Sequence, residues 1–336
     1  MRTLNKKALK IFILISVFFL FNQLAFAADQ INQYKSFKPF KIAFIPDTHL
    51  SFQKKDNWIL HKESLVIFQD VIKTLNKMKA LDFIVFGGDL IDNSDKEFSD
   101  LPMLLDIFSE IKSPYYVVPG DRDADLTAEY TKRDFLDEFY LNFEDKEKTY
   151  WAAEPVSNVL LIGLDTTIIN GFSGLIPGEQ LQWLDNTLTN NKSKFTIIAM
   201  HHPAFPTINP EEKLVWKDFL LLNSADFLNI IQKHPQVKLV LSGHHHLGYS
   251  KKVNDTVFVS APSIITYPNK YALLTVYPDK VEIENKSINY KQIIKKSKKT
   301  IINTKYAQNY KTLGTRQLIK LQKGIKSERY IFNQDK

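Results

Sequence analysis

Residues 237–246 read VKLVLSGHHH. A run of strand length, rich in valine and leucine, stops at a small-residue turn and passes directly into three histidines. Taken alone, the tract has three readings: an expression-tag scar, a histidine-rich low-complexity segment, or part of a metal site. The rest of the chain bears on the choice, because the same layout recurs. Short apolar runs at 41–45, 83–86, 115–118 and 195–200 close on the polar tips PDTH, GGD, PGDRD and MHHP, and a sixth run lies at 159–164. Several of these runs are almost continuously apolar, as expected of strands covered on both faces. Between them lie stretches with apolar residues at helical spacing, at 58–77, 101–111, 127–139, 179–188 and 217–232. Leu65, Phe68, Val71, Ile72 and Leu75 mark one such face. The alternation implies a largely parallel α/β core. After residue 255 the helical pattern stops, and 256–260, 271–277 and 280–284 read as strands, the last two joined by a turn at Pro278-Asp279.

The ends of the chain differ from this body. Arg2, Lys6, Lys7 and Lys10 lead into a short apolar run at 11–21, and Ala25-Phe26-Ala27 precedes Ala28. That is the layout of a secretory signal peptide over 1–27, too short for the ~20 apolar residues that span a bilayer. The reading places the mature protein in the periplasm or the medium. The overall charge of +7 divides unevenly: 291–336 holds thirteen Lys/Arg against Glu328 and Asp335, leaving −8 on 28–290. The basic tail reads either as a helical or partly disordered solvated end, or as a contact for anionic lipid headgroups; no specific nucleic-acid partner is indicated. On the lipid reading, truncation after Ser287 spares activity on a soluble substrate. With no internal repeat or long linker, 28–290 forms one domain. The chain has no cysteine, so any metal is held by nitrogen and oxygen.

Chemistry concentrates at the tips. Sites in α/β sheets form at the carboxyl ends of strands, where loops converge. Asp47, His49, Asp89, Asp121, His201, His244 and His246 all fall there. Clustered carboxylates and imidazoles repel or desolvate one another unless a cation binds among them. Seven donors exceed the needs of a single ion and suit two ions about 3.5–4 Å apart that share a carboxylate. Gly87, Gly88, Gly120 and Gly243 let the backbone turn where each strand ends.

In order, D-x-H, GGD, PGDRD, HHP and GHxH resemble the motif series of the calcineurin-like metallophosphoesterases. LDTTI at 164–168, QLQWLDNTL at 180–188 and APSIITYP at 261–268 are similar to the subgroup containing bacterial cyclic-nucleotide phosphodiesterases. The resemblance covers residues 40–288. It implies a four-layer α-β-β-α sandwich with two mixed sheets flanked by helices, and two divalent ions, manganese, iron or zinc. Asp47, His49 and His246 would hold the first ion, Asp89 would bridge, and Asp121, His201 and His244 would hold the second. His245 would face away, which makes the triple histidine two ligands separated by one residue.

The catalytic candidates are Arg122, Asp123 and His202. The family usually has Asn where this chain has Asp121, and His where it has Arg122. The extra carboxylate should hold the second ion more tightly while making its water a poorer acid. Arg122 replaces a proton donor with a permanent cation and a planar donor fork. Asp123 matches the family and is expected to orient a neighbouring ligand. His202 either meets substrate, hydrogen-bonds a ligand, or packs beside Pro203. The implied function is an exported hydrolase acting by metal-activated hydroxide attack on a small phosphoester. Phosphodiesters of cyclic-nucleotide, nucleotide or lipid-headgroup type come first, with phosphomonoesters or nucleotide pyrophosphates as the alternative. A reading of another class is a metal- or anion-binding protein that has lost catalysis.

Overall fold

The computed structural model describes residues 34–52, 54–92, 100–124, 131–139, 148–206, 219–303 and 314–332. The leader read at 1–27 lies outside them, as do residues 207–218 after the MHHP tip. One sheet contains β1 (Phe40–Ile45), β2 (Phe83–Phe86), β3 (Tyr115–Val117), β10 (Lys270–Val276), β11 (Lys280–Ser287) and β12 (Ser327–Ile331), in the order β12-β11-β10-β1-β2-β3. The other contains β4 (Trp151–Val156), β5 (Val159–Gly163), β6 (Phe195–Ala199), β7 (Val237–Ser242), β8 (Tyr249–Val253) and β9 (Thr256–Ser260), in the order β4-β5-β6-β7-β9-β8. The parallel core expected from strand–helix alternation is present twice, as β1-β2-β3 and as β5-β6-β7-β9. Antiparallel strands flank each, so both sheets are mixed.

Side-chain alternation explains the layers. Along β5, Val159 and Leu161 join the main core between the sheets, while Leu160 and Ile162 turn to a second core. That second core is closed by α4 (Gly178–Asn190) and α5 (Ser224–Lys233), through Leu184, Leu188, Phe227 and Ile231. On the opposite side α1 (Ser64–Asn76) and α2 (Asp100–Ser109) cover the first sheet with Ile67, Phe68, Val71, Leu104 and Phe108. A short α3 (Lys132–Glu138) starts at Thr131 with a reciprocal capping box to Asp134. The result is helix, sheet, sheet, helix.

The expectation of consecutive strands after residue 255 is met with a change of sheet. β9 ends the second sheet, residues 261–269 cross over, and β10 enters the first sheet between β11 and β1. That crossover runs past the strand ends, where Ser263 Oγ donates to the Asp47 carbonyl at 2.7 Å. Beyond residue 290 the chain forms α6 (Lys291–Asn303) and α7 (Thr315–Lys323), and then returns as β12 against β11. The segment read as a basic tail therefore contributes an edge strand. No helix among the described residues is long and apolar enough to cross a membrane.

Candidate metal centre

The tips after β1 and β2 continue the parallel pairing of their strands. Asp47 N–H donates to the Gly88 carbonyl and His49 N–H to that of Asp89, both at 2.9 Å. Gly120 brings the third tip against the second: a Cβ there would lie 2.1 Å from the Asp89 nitrogen. Asp47, His49, Asp89, His244 and His246 all have positive φ, between 36° and 67°. Left-handed backbone in non-glycine residues costs on the order of 1–3 kcal/mol each and persists only where surroundings over-determine it. Five such residues at one end of the sandwich mark where the fold stores strain.

These tips bring all seven candidate ligands together. Ligand atoms of Asp47, His49 and His246 form one group within 4.8 Å of one another, those of Asp47, Asp89 and His201 a second, and those of Asp121, His201, His202 and His244 a third. His49 Nε2 and His246 Nε2 are 3.1 Å apart. His201 Nε2 lies 2.9 Å from His244 Nδ1 and 3.2 Å from Asp121 Oδ1. Asp89 Oδ2 is 3.4 Å from His49 Nε2 and 3.5 Å from His201 Nε2, between the two clusters.

The hydrogen bonds behind each ring decide what faces inward. His201 Nδ1 donates to the Gly87 carbonyl at 2.8 Å, so the neutral ring presents a bare Nε2 to the cluster. His246 Nδ1 meets Thr266 Oγ1 at 3.3 Å, and His49 Nδ1 lies 3.5 Å from Asp92 Oδ1. Acceptors thus converge in a buried volume. Burial, reinforced by Asp121 and Asp123, pushes Asp47 up to about 7 against the pull of His201, and Asp89 rises well above the carboxylate range. For Asp121 the balance is reversed: burial opposes ionisation, but the His244 and His201 rings outweigh it and hold the carboxyl well below its usual value. Burial opposes the charge on His201, yet Asp89, Asp121 and Asp47 lift it to about 10. Without a cation, the cluster must take up protons instead. A buried nitrogen-and-oxygen donor set of this kind fits borderline divalent ions.

The remaining candidates divide. Asp123 does not reach the cluster: its carboxylate accepts from the N–H groups of Leu90 at 2.9 Å, Ile91 at 3.3 Å and Gly120 at 2.9 Å. It ties the second tip to the third. Arg122 donates its N–H to Asp89 Oδ1 at 2.8 Å and holds its guanidinium 5.4 Å over the exposed Phe172 ring. His202 Nδ1 meets Thr166 Oγ1 at 2.8 Å, which also accepts the His202 N–H at 3.2 Å. The threonine hydrogen is then free to point at Nδ1, leaving the ring proton on Nε2, which has no hydrogen-bond partner among the described residues. His245 turns away, its Nε2 donating to the Phe219 carbonyl at 3.1 Å.

Supporting residues were missed by the sequence reading: Thr166, Thr266 and Asp92. Burial alone would raise Asp92, but His49, His61 and Lys54 outweigh it and hold the carboxyl below its usual range. The only signal was position, three residues past Asp89 in GGDLID. His61, fully buried behind this pair, is pushed down to about 4 by burial against the pull of Asp92. Its unfolded value is 6.5, so the unfolded chain binds the extra proton between those limits. Stability present above pH 6.5 should therefore drain as pH falls towards about 4, by up to about 3 kcal/mol. Urea unfolding of metal-free protein at pH 7 and pH 5 checks this; His61→Leu should show a shallower loss, and an unchanged slope would contradict it.

Comparison with known proteins follows the same lines. Residues 40–248 match the calcineurin-like phosphoesterase family. The chain is similar to a probable glycerophosphodiester phosphodiesterase of Arcobacter nitrofigilis, 28% identical over 229 residues, covering 65% of this chain and 76% of that protein. It is equally similar to a 3',5'-cyclic-nucleotide phosphodiesterase of Nostoc, 28% identical and covering 67% and 78%. In fold it resembles a dimetal phosphatase from Danio rerio, with a TM-score of 0.60 at 16% identity, covering 74% of this chain and 97% of that one.

Proposed function

This chain belongs to the calcineurin-like phosphoesterase family and is a metal-dependent phosphoester hydrolase, and from that premise we propose that it cleaves phosphodiesters at a two-ion centre. The observation that carries the choice of diester is aromatic surface on both flanks of the cluster. The Trp58 ring lies tilted against that of His246 on one side, with centroids 4.8 Å apart. On the other, Phe219 lies 5.5 Å from His244, and Phe172 stands 6.0 Å from Phe219. A diester carries an organic group on each side of its phosphorus and a single negative charge, which suits two apolar walls.

Asp47, His49 and His246 would hold one ion, Asp121, His201 and His244 the other, with Asp89 between them. Such ions, when bound, supply Lewis acidity towards a phosphoryl oxygen and lower the pKa of a coordinated water. The chain's own contribution is orientation and charge. Arg122, held by Phe172 and by its backbone bond to Asp89, meets negative charge growing on the phosphoryl group or leaving oxygen. His202 donates a hydrogen bond from Nε2 to a phosphoryl oxygen. With arginine in place of the usual histidine, good leaving groups such as nucleosides should be handled best.

Asp121→Asn keeps the Oδ1 acceptor that faces His201 and His244 while removing a charge. Turnover at saturating manganese should rise severalfold and metal retention weaken by roughly tenfold; lower turnover at saturating metal would reject the charge argument. The substrate class is tested with a panel of monoesters, diesters, cyclic nucleotides and nucleotide pyrophosphates, assayed with manganese, iron and zinc. Diesters should be cleaved fastest. A preference for monoesters would overturn the diester reading, and bound metal without turnover on any ester would favour a binding protein. Export through residues 1–27 belongs to the same proposal, as does contact of the exposed Lys291, Lys295, Lys298 and Lys299 with anionic lipid. Salt-sensitive binding to vesicles containing phosphatidylserine, absent for neutral vesicles, tests the latter.

A further inference from the structure

The family match ends at residue 248, yet residues far beyond it pack behind one half of the metal centre. α6 and α7 close a separate small core whose buried members are Leu247, Tyr267, Ile301 and Leu318, with Trp58 packed against it. Each of its members on the site side adjoins the first cluster. Leu247 follows His246 directly. Tyr267 follows Thr266, whose hydroxyl meets the His246 ring. Trp58 lies on that same ring.

Further contacts reach the same place. Ile325 N–H donates to the Gly248 carbonyl at 3.1 Å, two residues past His246. Gly324, at φ 56°, approaches so closely that a Cβ would stand 2.5 Å from that oxygen. Lys296 on α6 bonds Asp56 Oδ2 and Glu63 Oε1, each at 2.6 Å, bracketing the loop that carries Trp58. His246 itself has φ 56°, a conformation that needs support from its surroundings.

We infer that α6, α7 and the turn into β12 form a positioning clamp for His246, with Leu318, Gly324 and Lys296 as its positioning residues. The clamp holds the His246 ring where the Asp47–His49–His246 group can take an ion. This rests on the two-ion reading and adds that the C-terminal segment controls one of the two sites. A ligand displaced by a fraction of an ångström loses affinity while its partners stay in place.

Full-length chains carrying Leu318→Ala, Gly324→Ala and Lys296→Met are titrated with manganese by calorimetry, beside the unaltered chain and Leu184→Ala. Leu184 is fully buried in the core between the second sheet and α4, so its truncation is a destabilising control remote from the clamp. The unaltered chain should bind two ions. Leu318→Ala and Gly324→Ala should keep one tight ion and bind the other roughly 10- to 100-fold more weakly. Their kcat should recover in excess manganese with KM unchanged. Lys296→Met, an exposed change that leaves the cores intact, should show a smaller loss at the same ion. Leu184→Ala should unfold at lower temperature yet bind both ions as before. Clamp variants that bind both ions with full affinity, or a Leu184→Ala chain that loses the same ion, would overturn the inference. An unaltered chain that binds no pair of ions would overturn the two-ion reading and the clamp with it.

Discussion

Asp89→Asn is expected to lower phosphodiester turnover by on the order of 10³-fold and to leave the chain holding one manganese ion or none. The substitution is close to isosteric, which is what makes the result informative. Asp89 Oδ1 accepts the Arg122 N–H at 2.8 Å, and an asparagine oxygen can keep that bond. Oδ2 is different: it stands 3.4 Å from His49 and 3.5 Å from His201, one ring from each cluster. Replacing it with an amide removes a negative charge that lies against a ring of each cluster and sets an N–H₂ against two imidazole nitrogens. The fold should survive, because the backbone links from His49 to Asp89 and from Leu50 to Leu90 do not involve the side chain. Far-ultraviolet circular dichroism, metal analysis and a steady-state assay suffice. An Asp89→Asn chain with both ions and normal turnover would remove Asp89 from the bridging position.

Truncation after Ser287 is expected to abolish a soluble, metal-binding fold rather than to spare activity. Phe332 is buried in the main core, its ring 5.6 Å from that of Phe195. Replacing such a side chain by alanine costs about 3–5 kcal/mol, against a typical total stability of about 5–15 kcal/mol. The truncation also removes Ile301 and Leu318 from behind Leu247, and β12 from the edge of β11. The bonds of Ser250 Oγ to Glu328 and to Tyr330, which tie the edge of the second sheet to β12, go with it. Expression in the soluble fraction and urea unfolding of Phe332→Ala and of the truncated chain give the measure. A truncated chain as stable as the full one would show the tail to be an appendage.

Much of this was legible in the sequence because burial on both faces leaves a strong mark. β2 and β7 are uninterrupted or nearly uninterrupted apolar runs ending in glycine and a ligand, and both were placed within a residue. Edge strands carry no such mark. β4 contains Pro155 and a register shift between Ala153 and Val156, three of the five residues of β8 are lysine or serine, and β12 alternates exposed and half-buried residues. β4 and β8 pair with the strand that follows each in the chain, but β12 pairs with β11 across α6 and α7, so the C-terminal segment read as a solvated extension by its charge alone. The candidate metal ligands were legible because they share strand ends. Thr166, Thr266 and Asp92 were not, since a hydroxyl or carboxylate that braces a ring looks in sequence like any turn residue. Asp123 was legible as part of its motif, but its three backbone bonds were not.

The central claim is that side chains from both sheets enclose two cations joined by Asp89. Electron paramagnetic resonance of the full chain titrated with manganese tests it most directly. Two equivalents should bind, and their signal should be that of an exchange-coupled pair, lost in Asp89→Asn. A single bound ion, or two ions whose spectra stay those of isolated manganese, would contradict it.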